Sequence, residues 1–200
     1  AFPTPKRAFP EFFIIILTIS SLSITNSKQD YISVIGKGLN NGEFFSPQGL
    51  VFYPQKERIY VADSDNHCIQ VLTKEGYFLF RFGSFGEDKG RFSHPTDITF
   101  DKDGKFYVVD SGNNRIEVFN SEGIFLFQFG NYGNEKGELN RPNGIRCIEE
   151  KIYVADTGNN RVEIFSLAGE FLSEIGKYGE REKEFNTPLA LSSDDKNNIY

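Results

Sequence analysis

Short apolar runs alternate with polar turns along most of the chain, and the runs return at a fixed interval. Prolines 47, 95, 142 and 188 stand 46 to 48 residues apart, and groups of four apolar runs follow the first three of them. The second run of each group is almost continuously apolar, whereas the third alternates. These patterns are typical of β-strands covered on both faces and on one face, respectively. The second runs are 59–62, 106–109 and 152–155, and the third runs are 69–72, 116–119 and 162–165.

Turn residues share this period. Asp63, Asp110 and Asp156 each end a second run, and the last two begin the motif Asp-Ser/Thr-Gly-Asn-Asn. We expect this motif to close a hairpin, with Gly112 and Gly158 at positive φ. Four antiparallel strands per period of about 47 residues, with no long amphipathic helix, predict blades stacked around an axis. The fold class is therefore all-β, a β-propeller of four-stranded antiparallel blades.

Two motifs resemble NHL repeats. One is Ile-Tyr-Val-Ala-Asp-x-Gly-Asn-Asn-Arg-Val-Glu-Ile-Phe at 152–165, and the other is Gly-x-Phe-Leu-x-x-Ile-Gly at 169–176. The resemblance covers about residues 31–200 and implies a six-bladed propeller. About three and a half blades are expected in the chain, at about 44–83, 92–130, 139–176 and, in part, 185–200. We expect the rest of the propeller to be missing at the C-terminal side; the alternative is a half-ring that dimerises.

The first thirty residues differ from the repeats. Lys6 and Arg7 precede the apolar run 12–24, and small residues follow it. This order is typical of a secretory signal peptide or an N-terminal anchor in 1–30, and predicts a secreted or cell-surface protein. The alternative is a buried strand or linker in a cytoplasmic protein. Residues 31–36 match a fourth strand, and we expect them to close the ring as the outer strand of the last blade.

The net charge of the chain bears on the kind of partner that it can bind. The net charge is −6, and residues 31–200 hold 19 Lys and Arg against 26 Asp and Glu once Lys6, Arg7, Lys28, Glu11 and Asp30 are set aside. This balance argues against a nucleic-acid partner. A membrane contact is expected only through an N-terminal anchor.

Two cysteines cannot form a disulfide framework. Their positions in the repeats place them on different strands of repeats that are not adjacent. We predict free thiols, with Cys147 buried among apolar side chains and Cys68 nearer the surface.

Arginines recur at the start of the third strand. Arg115 and Arg161 stand five residues after Asp110 and Asp156. Repetition at one blade position favours a structural contact between each arginine and its aspartate, with Asp63 as the matching aspartate of the first repeat. The alternative is an anion-binding role for the arginines.

Loops that carry the chain from one blade to the next offer a candidate binding surface. Aromatic residues recur there in Gly-x-Phe/Tyr-Gly motifs, and arginines stand near them in sequence. Aromatic residues and arginine commonly dominate binding energy at interfaces. The hairpin of the first repeat departs from the others and is a further contact candidate. The alternative role of the aromatics is local packing of each loop. The candidate binding residues are Asp65, His67, Phe85, Arg91, His94, Tyr132, Arg141 and Tyr178.

Evidence for catalysis is weak in the sequence. His67 and His94 are the only histidines, and no third metal ligand accompanies them. Gln48, Asp97 and Asn143 begin the innermost strands and could offer oxygens to calcium, although a polar channel lining is the alternative. We identify no catalytic residue and expect no cofactor.

The favoured function is a binding or scaffold module that holds a protein, peptide or glycan ligand through its rim loops. One alternative is a metal-assisted lyase or hydrolase with its site in the central channel. The other is an RNA-binding or ubiquitin-ligase-associated propeller.

Overall fold

A computed structural model of the chain describes residues 38, 40–194 and 197–200, and the backbone of three strands before them. These strands are β1 (Ile14–Thr18), β2 (Ser21–Asn26) and β3 (Gln29–Ile35), and they form an antiparallel sheet in that order. Residues 1–13 of the predicted leader and Gly36 lie outside the described residues. Within the described part, no helix has the length and apolar character needed to cross a membrane.

Three four-stranded antiparallel sheets follow, each with its strands in chain order. They confirm the predicted all-β fold of four-stranded blades, and we number them blades 1 to 3. Blade 1 contains β4 (Pro47–Tyr53), β5 (Arg58–Asp63), β6 (Cys68–Thr73) and β7 (Phe78–Phe82). Blade 2 contains β8 (Pro95–Phe100), β9 (Lys105–Asp110), β10 (Arg115–Asn120) and β11 (Phe125–Phe129). Blade 3 contains β12 (Ile145–Ile148), β13 (Lys151–Asp156), β14 (Arg161–Ser166) and β15 (Phe171–Ile175).

Apolar layers between neighbouring blades form the core. Tyr60 and Val71 of blade 1 pack with Ile98 and Phe106 of blade 2 in one layer. A second layer joins the other face of blade 2 to blade 3, for example through Val109 and Ile152. Successive residues of a strand point to opposite faces of the sheet. The two middle strands of blade 2 therefore contribute side chains to the layers on both of its faces.

Glycine allows the innermost strands to approach closely. A Cβ atom added at Gly49 would lie 2.6 Å from the Cα atom of Asp97 in the next blade. Any larger residue at this position would have to push the two strands apart.

The hairpin after each second strand contains a short 3₁₀ turn, at Ser64–Asn66, Ser111–Asn113 and Thr157–Asn159. The prediction of positive φ at Gly112 and Gly158 is wrong, because the left-handed residue is Asn114 (φ 56°) in blade 2 and Asn160 (φ 57°) in blade 3. Gly112 is needed for a different reason. Its added Cβ atom would lie 2.7 Å from the carbonyl oxygen of Ser93, to which its own N–H donates a hydrogen bond.

Both cysteines are free thiols, as predicted, and Cys147 packs against an apolar cluster, but the order of their burial is the reverse of the prediction. Cys68 is buried, because it takes the place in β6 that buried Arg115 takes in β10. Cys147 is half-buried on β12, beside a cavity that Lys102 and Glu149 also line. Burial raises the pKa of Cys68 to about 12 and that of Cys147 to about 11.

Candidate functional site: the interblade rim

Buried aspartates at the ends of the second strands hold the loops that enter each blade. Oδ1 of Asp110 accepts a hydrogen bond from the backbone N–H of Ser93, and Oδ2 accepts one from Asn113. Asn113 also donates to the carbonyl oxygen of Gly86. Asp63 and Asp156 make the matching contacts in blades 1 and 3. The hairpin and the interblade loop therefore lie on the same side of the blade.

Arg115 and Arg161 bind these aspartates directly. Nε of Arg115 lies 2.8 Å from Oδ2 of Asp110, and Nε of Arg161 lies 2.9 Å from Oδ2 of Asp156. The four remaining N–H groups of each guanidinium are also engaged. For Arg115 the acceptors are the carbonyl oxygens of Glu87, Asp88 and Arg91 and the side chain of Gln128. Since all five donors have partners, these arginines are better placed to shape the loop than to bind an external anion.

A buried carboxyl completes each of these clusters. Oε1 of Glu117 lies 3.1 Å from Nη2 of Arg115 and accepts a hydrogen bond from the N–H of Gly90, and Glu163 repeats both contacts in blade 3. Oε2 of each glutamate is buried without a hydrogen-bond partner among the described residues. Burial raises the pKa of Glu117 and Glu163 to about 7, although the arginine opposes this shift.

Blade 1 replaces both charged partners together. Cys68 stands where Arg115 stands, and Gln70 stands where Glu117 stands. Oε1 of Gln70 accepts from the N–H of Gly42, while Nε2 donates to Asp63 and to the carbonyl oxygen of Glu43. The exchange removes one positive and one negative charge, so the local charge balance is preserved.

Left-handed residues on the rim join each blade to the next. Nδ1 of His67 accepts a hydrogen bond from the backbone N–H of His94 at 3.1 Å. Oδ1 of Asn114 accepts from the N–H of Arg141, and Oδ1 of Asn160 accepts from Thr187. Acceptor and donor are 27 residues apart in every case. Sequence analysis missed these links, although their signal is present as polar residues at matching positions of the repeat.

Near the first link, the structure brings several predicted residues together. The imidazole rings of His67 and His94 have centroids 4.5 Å apart, and Phe85 contacts His67 at 4.8 Å. Nε2 of His94 lies 3.9 Å from Oδ1 of Asp65, and Ser46 donates to the same carboxylate. The pKa of His67 is lowered by burial and by the neighbouring His94.

Aromatic side chains of the interblade loops are exposed. Phe85, Tyr132 and Tyr178 expose 66%, 71% and 70% of their surface, respectively. Tyr132 and Arg141 line a cavity of about 550 Å³ together with the hairpins of blades 2 and 3. Arg91 is also exposed and lies 3.8 Å from the carboxylate of Asp88. We call Phe85, Tyr132, Arg141 and Tyr178 the rim surface.

Gln48, Asp97 and Asn143 line one cavity of about 460 Å³ at the innermost strands, together with Arg146. Oδ2 of Asp97 lies 3.1 Å from Nη1 of Arg146 and accepts a further bond from the N–H of Ile145. The positive charge of Arg146 offsets the one carboxylate of this set and opposes a bound cation. Elsewhere in the described residues, no group of three or more His, Cys, Asp or Glu side chains could hold a metal ion.

Comparison with known proteins agrees with this repeat structure. The family model for the NHL repeat matches residues 44–72 and 92–119. The protein brain tumor of Drosophila melanogaster is 36% identical over 76 residues, which are 38% of this chain and 7% of that protein. Human tripartite motif-containing protein 2 is 39% identical over 56 residues, 28% of this chain and 7% of that protein. The matches thus span a small part of either relative.

Solved structures share the fold. A virginiamycin B lyase from Staphylococcus aureus superposes with a TM-score of 0.66 at 18% identity, over 90% of this chain and 55% of that one. A chain of a nidogen/laminin complex superposes with a TM-score of 0.60 at 18% identity, over 86% and 60%. At these identities the likeness shows the fold alone. Repeats, blades and family match together show NHL repeats in blades 1 and 2, within a chain that has the fold of β-propeller blades.

Proposed function

We propose that this chain is a binding module that holds a protein or peptide partner on the rim surface. The observation that carries the proposal is the exposure of Phe85, Tyr132 and Tyr178 at matching positions of three successive loops. Large exposed aromatic side chains at regular places are typical of interaction surfaces.

The loops are held in shape by groups other than these rings. Gly86 and Phe92 close the second loop through a backbone hydrogen bond, and Arg115 binds three of its carbonyl oxygens. The aromatic rings, which are largely exposed, can therefore contact a partner without a change in the backbone. A preformed surface loses little conformational entropy on binding.

A protein partner suits the charge of this surface better than a nucleic acid. The chain carries a net charge of −6, and Arg141 stands beside neutral polar residues such as Asn114 and Asn140 in the cavity next to Tyr132. Nucleic-acid binding draws most of its affinity from many phosphate contacts, which need a basic surface. Brain tumor and tripartite motif-containing protein 2 are similar to this chain over one to two repeats.

The test begins with peptides selected on the unsubstituted protein from a random twelve-residue display library. Their affinities are then measured for the variant F85A/Y132A/Y178A by fluorescence anisotropy. We expect a loss of at least tenfold. The control is Tyr77→Ala, because Tyr77 is an equally exposed aromatic residue outside these loops.

Equal binding by the triple variant and the unsubstituted protein would contradict the proposal. A labelled twelve-residue oligouridine is measured in parallel at physiological salt. Tight oligouridine binding that the triple variant loses would assign the surface to RNA instead.

A further inference from the structure

The pairing of β2 with β3 copies the pairing of the last two strands of every blade. Three residue pairs are in register, and an irregularity then follows at the same place. The first of these pairs is Leu22↔Ile35 in the N-terminal sheet, Ile69↔Phe82 in blade 1, Ile116↔Phe129 in blade 2 and Val162↔Ile175 in blade 3. The successive intervals are 47, 47 and 46 residues, which is the period of the repeat. The N-terminal sheet therefore follows the blade register.

The hairpin between β1 and β2 is two residues shorter than the matching hairpin of the blades. Thr18 pairs with Ser21 across two residues, whereas Asp110 pairs with Arg115 across four. Compared with the blades, the pairing of β1 with β2 is thus shifted by two residues. A shift by an even number of residues leaves the alternation between the two faces of a sheet unchanged. At the matching positions two periods earlier, Ile16 stands for the aspartate and Ser21 for the arginine. Ile16 also lacks the carboxylate through which Asp63, Asp110 and Asp156 accept a hydrogen bond from the asparagine of the longer hairpin.

Blade 1 has a second covered face. Ile59, Val61 and Leu72 are 2%, 0% and 0% exposed, and they form a cluster separate from the layer that blade 2 covers. The matching residues of blade 2, for example Phe106 and Val108, are buried against blade 1. Because each blade packs between its neighbours in the chain, the segment that precedes blade 1 is the one expected on this face.

We infer that β1, β2 and β3 are the second, third and fourth strands of a further blade, and that this blade docks on the face of Ile59, Val61 and Leu72. Leu22 and Ile24 take the positions of Ile69 and Val71, which face the next blade. The strands within the apolar run, β1 and β2, are then strands of a β-blade. In the same way, β3, which the sequence suggested as a ring-closing strand, is then the outer strand of this blade.

Hydrogen exchange of the 200-residue chain, read by mass spectrometry, tests this assignment. We expect the amides of 21–26 and 31–35 to exchange at least a hundredfold more slowly than in an unstructured peptide. The variant Ile24→Asp places a charge in the proposed interface. It is expected to speed exchange at least tenfold both in β2 and in 59–63.

Ile19→Asp is the matched control, because Ile19 stands between β1 and β2 in the sequence and lies outside the described residues. It adds the same charge to the same apolar run and is expected to leave exchange in 59–63 unchanged. Exchange of 21–35 at the unstructured rate in the unsubstituted chain would overturn the assignment, and this readout needs no variant to fold. Equal effects of Ile24→Asp and Ile19→Asp on 59–63 would overturn it as well.

Discussion

The imidazole of His67 accepts a hydrogen bond from the backbone N–H of His94 and so links blade 1 to blade 2. Asparagine takes the place of His67 in the next two blades and accepts the same bond. The position has positive φ, at 52° for His67, and asparagine tolerates this region better than most residues. His67 is therefore a titratable residue at a position where the next two blades have a neutral asparagine.

His67→Asn is expected to keep the link and to raise the free energy of unfolding by up to about 1 kcal/mol. Because the pKa of His67 is lowered in the folded state, its contribution is present above its ordinary pKa and is lost as the pH falls below it. Urea unfolding at pH 7.5 and pH 5 measures both effects, and the asparagine variant should lose less stability in acid. The converse change, Asn114→His, is the control and should add acid dependence to the link of blade 2. An unchanged acid dependence in His67→Asn would contradict the assigned role.

Arg115→Cys is expected to destabilise the chain by about 3–5 kcal/mol, because it leaves Asp110 and Glu117 buried without their counter-charge. Adding Glu117→Gln recreates the combination of Asp63, Cys68 and Gln70 found in blade 1. The double variant should recover about 1–3 kcal/mol of that loss.

The free energies of urea unfolding of the two single variants and the double variant complete a double-mutant cycle. Arg58→Cys serves as control, since Arg58 is a more exposed arginine paired with Glu122, and should cost about 1 kcal/mol or less. Strict additivity of the two substitutions would contradict the energetic coupling of the arginine and the glutamate.

Glu117 and Glu163 are expected to make the blades less stable as the pH rises. Their pKa is about 7 in the folded chain and near the ordinary 4.5 when unfolded, so the folded state holds protons that the unfolded state releases. Their stabilising contribution is complete below pH 4.5 and is lost as the pH rises through 7, by up to about 3 kcal/mol for each carboxyl. The variant E117Q/E163Q should flatten this slope, measured as the free energy of unfolding between pH 5 and pH 8. Glu122→Gln, an exposed change, should leave the slope as it is.

The two thiols are expected to react slowly with an aromatic disulfide reagent at pH 8, because burial raises the pKa of both. Cys147 should react before Cys68, since Cys147 is partly exposed and Cys68 is buried. Modification of C68S and C147S followed by absorbance assigns each rate, and the reverse order would contradict the structure.

Much of the fold was predictable because it depends on residues that recur. The prolines and aspartates gave the period, and the spacing of Asp110 and Arg115 was enough to suggest their contact. The exposure of Cys68 and Cys147 was not predictable, because it depends on which blade covers each strand. The link between Asn114 and Arg141 was also missed, since it crosses from one blade to the next over 27 residues. At Gly112, a close approach to Ser93 was mistaken for a need for positive φ.

The interblade loops keep one backbone frame whatever side chain they display. In the first loop, Gly38 takes the place of Gly86 and Gly133. Its N–H donates to the carbonyl oxygen of Phe44 and its own carbonyl accepts from Asn66, as the matching groups do in the loops that display Phe85 and Tyr132. The backbone of each loop is therefore independent of the aromatic side chain that the loop exposes. Mutation can change the side chain that one loop displays without disturbing the backbone beneath it or the loops on either side.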